Sequence, residues 1–143
     1  MSTILKTLTD TTFDSVEGYR KAAEKANDPQ LKGILLEQAG KREALVTRLN
    51  DELHRRGEEL VTKGTMTGEL HQAWMGIANL FENGDEAATE RVEEGEDYLA
   101  RKYEEALEHS DLSAEDRTII QSAYAEVKEG ERLSDMLEQK YDR

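Results

Sequence analysis

The chain contains no cysteine. That absence excludes a disulfide scaffold, a thiolate zinc site, an iron–sulfur cluster and a cysteine nucleophile. Proline occurs once and aromatic residues make up 6% of the chain, too little of either for a turn-rich all-β fold. No apolar run approaches the roughly 18 residues that a membrane span requires. The stretch Met1 to Leu8 carries one Lys and no extended apolar core, so no signal peptide is expected. Basic residues are outnumbered: 19 Lys and Arg against 32 Asp and Glu give a formal net charge of −13. A surface of that sign repels phosphates, so neither nucleic acid nor an anionic membrane is expected as a partner. The expectation is an acidic, cytoplasmic, helical chain.

A length of 143 residues suits one domain spanning the whole chain, 1–143. Charged and hydrophobic residues each make up 36%. They interleave at regular spacing, which is the habit of helices with one solvated face rather than of a disordered chain.

The spacing predicts four long helices. The first runs from about Thr3 to Ala26, with Leu5, Leu8, Val16, Tyr19, Ala23 and Ala26 at three- and four-residue steps. Asp28-Pro29 then reads as an N-cap followed by proline at the first helical position. The second helix continues to about Arg56, carrying Leu31, Leu35, Leu45, Val46, Leu49 and Leu53, and Gly57 stops it. Residues 57–84 form a long connection punctuated by glycines. Within it, Leu70, Trp74, Ile77, Ala78 and Phe81 predict a short helix over Glu69–Phe81. The third helix spans about Asp85 to His109. The fourth begins at a partial capping box, Ser113 with Asp116, and runs to Tyr141.

Loop lengths then set the connectivity. Short loops make antiparallel hairpins of the first and second helices and of the third and fourth. The long connection lets the third helix return parallel to the second. The expected fold is all-α, a ferritin-like four-helix bundle of two up-down hairpins joined by a long crossover carrying a short helix.

Any chemistry must come from polar residues that face inward. On helical wheels at about 100° per residue, Arg42 sits near the centre of the second stripe with Gln38 beside it. Glu131 falls within the fourth stripe, Glu96 inside the edge of the third, Arg20 inward on the first, and Glu17 at its rim. Counting from the turns brings Glu17, Gln38, Arg42, Glu96 and Glu131 to one level near the middle of the bundle. Unpaired burial would cost several kcal/mol each, so these groups should find one another.

That level is where ferritin-like di-metal proteins hold their site, using two Glu and two Glu-x-x-His motifs. His54, His71 and His109 do not complete such a motif, because none follows a Glu by three residues. Two readings stay open. One is a buried polar cluster of Arg20, Gln38 and Arg42 with the inward carboxylates, Arg42 replacing the metal charge. The other is a carboxylate-only metal site of Glu17, Glu96 and Glu131, for iron or another divalent cation. The first is favoured, because a fixed cation stands where the metal would sit. No cofactor and no catalytic residue are expected on that reading.

Several stretches resemble one family. They are Asp14-Ser15-Val16-Glu17-Gly18-Tyr19-Arg20-Lys21-Ala22-Ala23-Glu24, Asp28-Pro29-Gln30-Leu31-Lys32, Arg42, Leu70-His71-Gln72-Ala73-Trp74, Gly95-Glu96-Asp97, Tyr103-Glu104-Glu105-Ala106-Leu107, and Gln121 with Tyr124-Ala125-Glu126-Val127-Lys128. In order and spacing they resemble the bacterial four-helix-bundle proteins of the DUF2383 family. The resemblance implies a ferritin-like bundle and no particular activity. Departures from that pattern are Ser15 in place of Gly, Gln72 in place of Arg, and Glu131 where His is common.

Three functions follow as expectations. The leading one is a non-catalytic bundle, stress-related and self-associating. The second is a metal-binding oxidase or ferroxidase. The third is an interaction module presenting the His71–Trp74 helix, or an acidic face, to a basic partner protein; His71, Trp74 and Met75 are expected at a contact between copies in a homo-oligomer.

Overall fold

The computed structural model describes residues 3–61, 84–109 and 111–141. Among them are four helices: α1 Thr3–Lys25, α2 Pro29–Arg55, α3 Asp85–Leu107 and α4 Ala114–Tyr141. No strand occurs among the described residues. The predicted helix at Glu69–Phe81, with His71, Trp74 and Met75, lies outside them.

The helix ends form where local chemistry places them. The Asp28 carboxylate accepts the Gln30 N–H at 3.0 Å, and Pro29 starts α2 where its missing N–H loses no bond. At the other end Gly57 adopts φ 75°, a left-handed conformation that glycine enters without a Cβ clash. That turn lets Gly57 N–H reach His54 O and Glu58 N–H reach Leu53 O, both at 2.9 Å, which closes α2 as a Schellman motif. Before α4, the Ser113 hydroxyl accepts the Asp116 N–H at 3.0 Å. The Asp116 carboxylate, which the capping-box reading would return to the cap, instead lies 2.5 Å from Arg56 of the α2 C-cap.

Contacts at the two ends fix the direction of each helix. At one end, Tyr141 donates to Asp28 Oδ2 at 2.5 Å, and Asp85 Oδ1 accepts the N–H groups of Asn27 and Asp28 at 2.7 and 3.2 Å. The α1–α2 turn, the start of α3 and the end of α4 therefore meet there. At the opposite end, Arg55 and Arg56 pair with Glu115 and Asp116 at the start of α4. Cations at a helix C-terminus thus face anions at a helix N-terminus, and each complements its own helix dipole. It follows that α2 and α3 run in the same direction. Helix α2 therefore ends at one end of the bundle and α3 begins at the other, separated by the length of the 27-residue α2, on the order of 40 Å. After α2 the chain turns back against it: Asn50 in α2 exchanges two hydrogen bonds with the Val61 backbone, at 2.7 and 2.8 Å. This is the one-crossover bundle that the loop lengths predict.

The core is a column of aliphatic side chains and alanines from all four helices, including Leu5, Leu31, Leu35, Leu53, Val92, Leu99 and Ile120. Helix α1 packs closely on α2 and α3, and α3 on α4. Helices α2 and α4 stand further apart, leaving a cleft between them. Buried hydroxyls on α1 are satisfied within the helix: Thr9 and Thr12 donate to the carbonyls four residues back, at 2.8 and 2.6 Å.

Candidate functional site

The middle of the bundle holds a buried ion pair. Arg42 from α2 exposes 2% of its surface and Glu96 from α3 none. Each occupies an inward position of its stripe, so the fold desolvates both charges. Such burial is tolerated only when geometry and hydrogen bonding compensate. Here they do. Arg42 Nη1 donates to Glu96 Oε1 at 2.7 Å and Nη2 to Oε2 at 2.5 Å, a two-pronged match of guanidinium to carboxylate.

Helix α1 completes the shell. The Tyr19 phenol donates to Glu96 Oε2 at 2.6 Å, and its ring lies beneath the guanidinium, 5.7 Å from centroid to Cζ. The Ser15 hydroxyl accepts from Arg42 Nη1 at 3.2 Å and donates to the Thr12 carbonyl at 2.6 Å. A second polar contact, between Thr12 Oγ1 and the Tyr103 hydroxyl at 2.7 Å, ties α1 to α3. Helix α4 contributes an absence of side chain. A Cβ at Gly130 would lie inside the van der Waals surface of both Arg42 Nη2 and Glu96 Oε2. The pair therefore rests directly against the α4 backbone.

Electrostatics follow from this packing. Burial opposes the charge on Arg42, but the facing Glu96 carboxylate more than offsets it and holds the guanidinium pKa above its ordinary value. Burial, reinforced by the Glu96 charge, pushes the Tyr19 phenol well above its ordinary value. Burial also pushes Tyr103 up to about 12. Both phenols are thus held in the protonated form, and Tyr19 remains a hydrogen-bond donor to Glu96.

The other candidate residues are placed differently. Gln38 is buried close to Arg42, yet its amide makes no hydrogen bond to the pair. Arg20, read from the wheel as inward, is exposed and pairs with Glu43 on the outside of α2. Its position lies at the margin of the stripe, where a long charged side chain reaches solvent. Glu131 is also at a margin. It takes Lys128 at 2.5 Å and a hydrogen bond from Asp97, in an open groove between α3 and α4. Burial, then the neighbouring Glu131, pushes Asp97 up to about 7. Burial alone would raise Glu131, but the bonds from Asp97 and Lys128 outweigh it and hold it below its ordinary value. Glu17 is half-buried, with no hydrogen bond or ion pair among the described residues.

These placements bear on the carboxylate metal site that the sequence leaves open. Among the described residues no three of His, Cys, Asp and Glu form a group that could hold a metal ion. Glu17, Glu96 and Glu131 are not brought together in such a group. Glu96, the one carboxylate at the centre, has both oxygens engaged by Arg42 and Tyr19. A guanidinium donates only and repels a divalent cation. The residues present at the centre do not fit a di-metal group.

Sequence reasoning placed Arg42 and Glu96 correctly at the centre and missed two of their partners. Tyr19 was readable only as an apolar position, although a buried phenol needs a hydrogen-bond partner. Gly130 stood in the inward stripe of α4. A glycine there forgoes about 1 kcal/mol of helix propensity relative to alanine, which signals a close approach.

No helix among the described residues is long and apolar enough to cross a membrane. A solved structure of a conserved hypothetical protein from Mycobacterium tuberculosis has the same fold. Its TM-score is 0.71 at 13% identity, over 94% of this chain and 93% of that one. No curated protein matches the chain. The family model for DUF2383, a domain of unknown function, matches residues 1–109 of the 143. The chain belongs to the DUF2383 family.

Proposed function

We propose that this protein is a non-catalytic helical bundle in which the Arg42–Glu96 pair takes the place of a ferritin-like di-metal centre. It acts through its surface rather than through chemistry in its core. The observation that supports this reading is the engagement of both Glu96 oxygens by Arg42 and Tyr19. A metal ion entering the centre would have to displace a hydrogen-bonded guanidinium whose charge cannot be removed near neutral pH. Three inward carboxylates against one fixed cation were expected from the sequence. The geometry offers one carboxylate, already neutralised. Self-association through His71, Trp74 and Met75 belongs to the same reading, as the way such a surface would be used.

The test is aerobic iron loading followed by desalting and elemental analysis. The expected result is no stoichiometric iron and no absorbance from an oxo-bridged centre. Two tightly held irons per chain, lost in Glu96→Ala, would overturn the reading in favour of an oxidase or ferroxidase. Light scattering tests the surface: a Trp74→Ala, Met75→Glu variant is expected to lower the mass of an oligomeric parent. A monomeric parent removes that part of the proposal.

A further inference from the structure

We propose that the seam between α3 and α4 is a proton-operated clasp: a proton held between Asp97 and Glu131 ties the two helices together, and its loss lets the seam loosen. The inference concerns the outer edge of the bundle and does not depend on the reading of its core.

The seam differs from the others in what crosses it. Arg20–Glu43 joins α1 to α2, and Arg48–Glu126, Arg55–Glu115 and Arg56–Asp116 join α2 to α4. Among the described residues no ion pair joins α3 to α4; Arg91–Glu94, Lys102–Glu105 and Lys128–Glu131 each stay within one helix. The side-chain bonds that cross this seam run to acids from protonated groups. Tyr124 donates to Glu104 at 2.6 Å, Asp97 donates to Glu131, and Glu93 is hydrogen-bonded to Glu138. Antiparallel register produces the row. Asp97 lies seven residues before Glu104 on α3, and Glu131 seven residues after Tyr124 on α4, so the second pair meets two turns from the first.

A bond between two acids needs a proton. Two carboxylates are acceptors only, so neither can donate to the other. A carboxyl and a carboxylate form a short, strong bond instead. Asp97 and Glu131 do so in a groove that Ala100, Arg101 and Glu104 complete. The surrounding charges decide which acid keeps the proton. On α4, Asp135 opposes a negative charge at Asp97, while Lys128 and Arg132 favour one at Glu131. On α3, Glu93 adds to the opposition, and Arg101 is held over the Tyr98 ring. Helix α1 meets α3 on its core side, through Tyr103 and Glu96. The proton therefore rests on Asp97 and the charge on Glu131.

Burial, then the bond to Glu131, pushes Asp97 up to about 7, which sets where the clasp acts. As pH rises through that value, Asp97 becomes a second anion facing Glu131 and Asp135, and the bond is lost. Lys128 cannot replace it, because it reaches Glu131 from α4 itself and bridges nothing to α3. The Arg42–Glu96 pair stays closed throughout, since the guanidinium holds its charge near neutral pH.

The experiment is a pH titration of the full chain, labelled with ¹³C and ¹⁵N, across neutrality. The Asp97 carboxyl carbon is expected to titrate near neutral pH, and amides of α4 around Glu131 are expected to shift with the same midpoint. Nitroxides placed by Glu90→Cys on α3 and Gln139→Cys on α4, both exposed positions in a chain without cysteine, report the width of the seam. Their separation is expected to widen as pH rises through that midpoint. Asp97→Asn keeps a donor that does not titrate. It is expected to abolish the shared midpoint and to hold the separation constant, with helix content unchanged by circular dichroism. Four outcomes overturn the proposal: an Asp97 carboxyl that titrates in the ordinary carboxylate range, α4 amides that do not share its midpoint, a separation that stays constant in the parent, or one that widens equally in Asp97→Asn.

Discussion

Gly130 of α4 lies against the Arg42 guanidinium of α2 so closely that a methyl group there would overlap it. The missing side chain is therefore a condition of the ion pair, and α4 takes part in the central cluster through its backbone.

Gly130→Ala is expected to destabilise the protein. Alanine gains about 1 kcal/mol of helix propensity, but overpacking against Arg42 and Glu96 costs about 1–3 kcal/mol. Gly33 and Gly40 provide the control, because a Cβ at either meets nothing within 4 Å. Gly40→Ala is expected to stabilise by about 0.5–1 kcal/mol. Urea denaturation of the two variants checks this. Equal stability of Gly130→Ala and Gly40→Ala would contradict the packing described.

Tyr19→Phe removes one hydrogen bond to a buried carboxylate. Bonds to charged groups contribute about 1.5–3 kcal/mol, and loss in that range is expected. Ser15→Ala removes a longer bond of 3.2 Å and should cost less. The order of the two denaturation midpoints tests the geometry; a larger loss in Ser15→Ala would be inconsistent with it.

Asp97 gives the fold a pH dependence. Its pKa is raised from 3.8 to about 7 in the folded protein. As pH rises through that window the unfolded chain gives up its proton first, so Asp97 progressively weakens the fold. Glu131 works the other way, its lowered pKa adding stability above its usual range. Asp97→Asn keeps a donor to Glu131 and removes the cost of deprotonation. Its thermal advantage over the parent should be near zero at about pH 4, grow up to about pH 7 and then level off. For partly exposed groups it should stay below about 1 kcal/mol. An advantage that shrinks as pH rises would contradict the shift.

Four stripes, two hairpins and the crossover were legible because helical period and loop length are local properties. Arg42 was legible because it lies near the centre of its stripe, and Glu96 because it falls inside the edge of its own. Arg20 and Glu131 were misplaced for a common reason. Each follows a buried valine, Val16 or Val127, by four residues, while the inward line passes through the residue at three: Tyr19 in α1 and Gly130 in α4. A wheel centred on the valine turns Arg20 and Glu131 inward, and their long side chains then leave for solvent partners. The Tyr19 hydroxyl and the close approach at Gly130 depend on how four helices meet, which no single stripe records.

The most direct test of the central claim, that an ion pair closes the core, is a double-mutant cycle on Arg42 and Glu96. Arg42→Met leaves Glu96 buried without its cation, and Glu96→Leu leaves Arg42 without its anion. Each is expected to cost about 3–5 kcal/mol in urea denaturation. The double variant replaces the pair by apolar groups and should recover most of that loss, because neither charge is left behind. A recovery of at least about 2 kcal/mol relative to the sum of the single losses is the predicted result. Additive losses, with the double variant as unstable as the two singles combined, would contradict it.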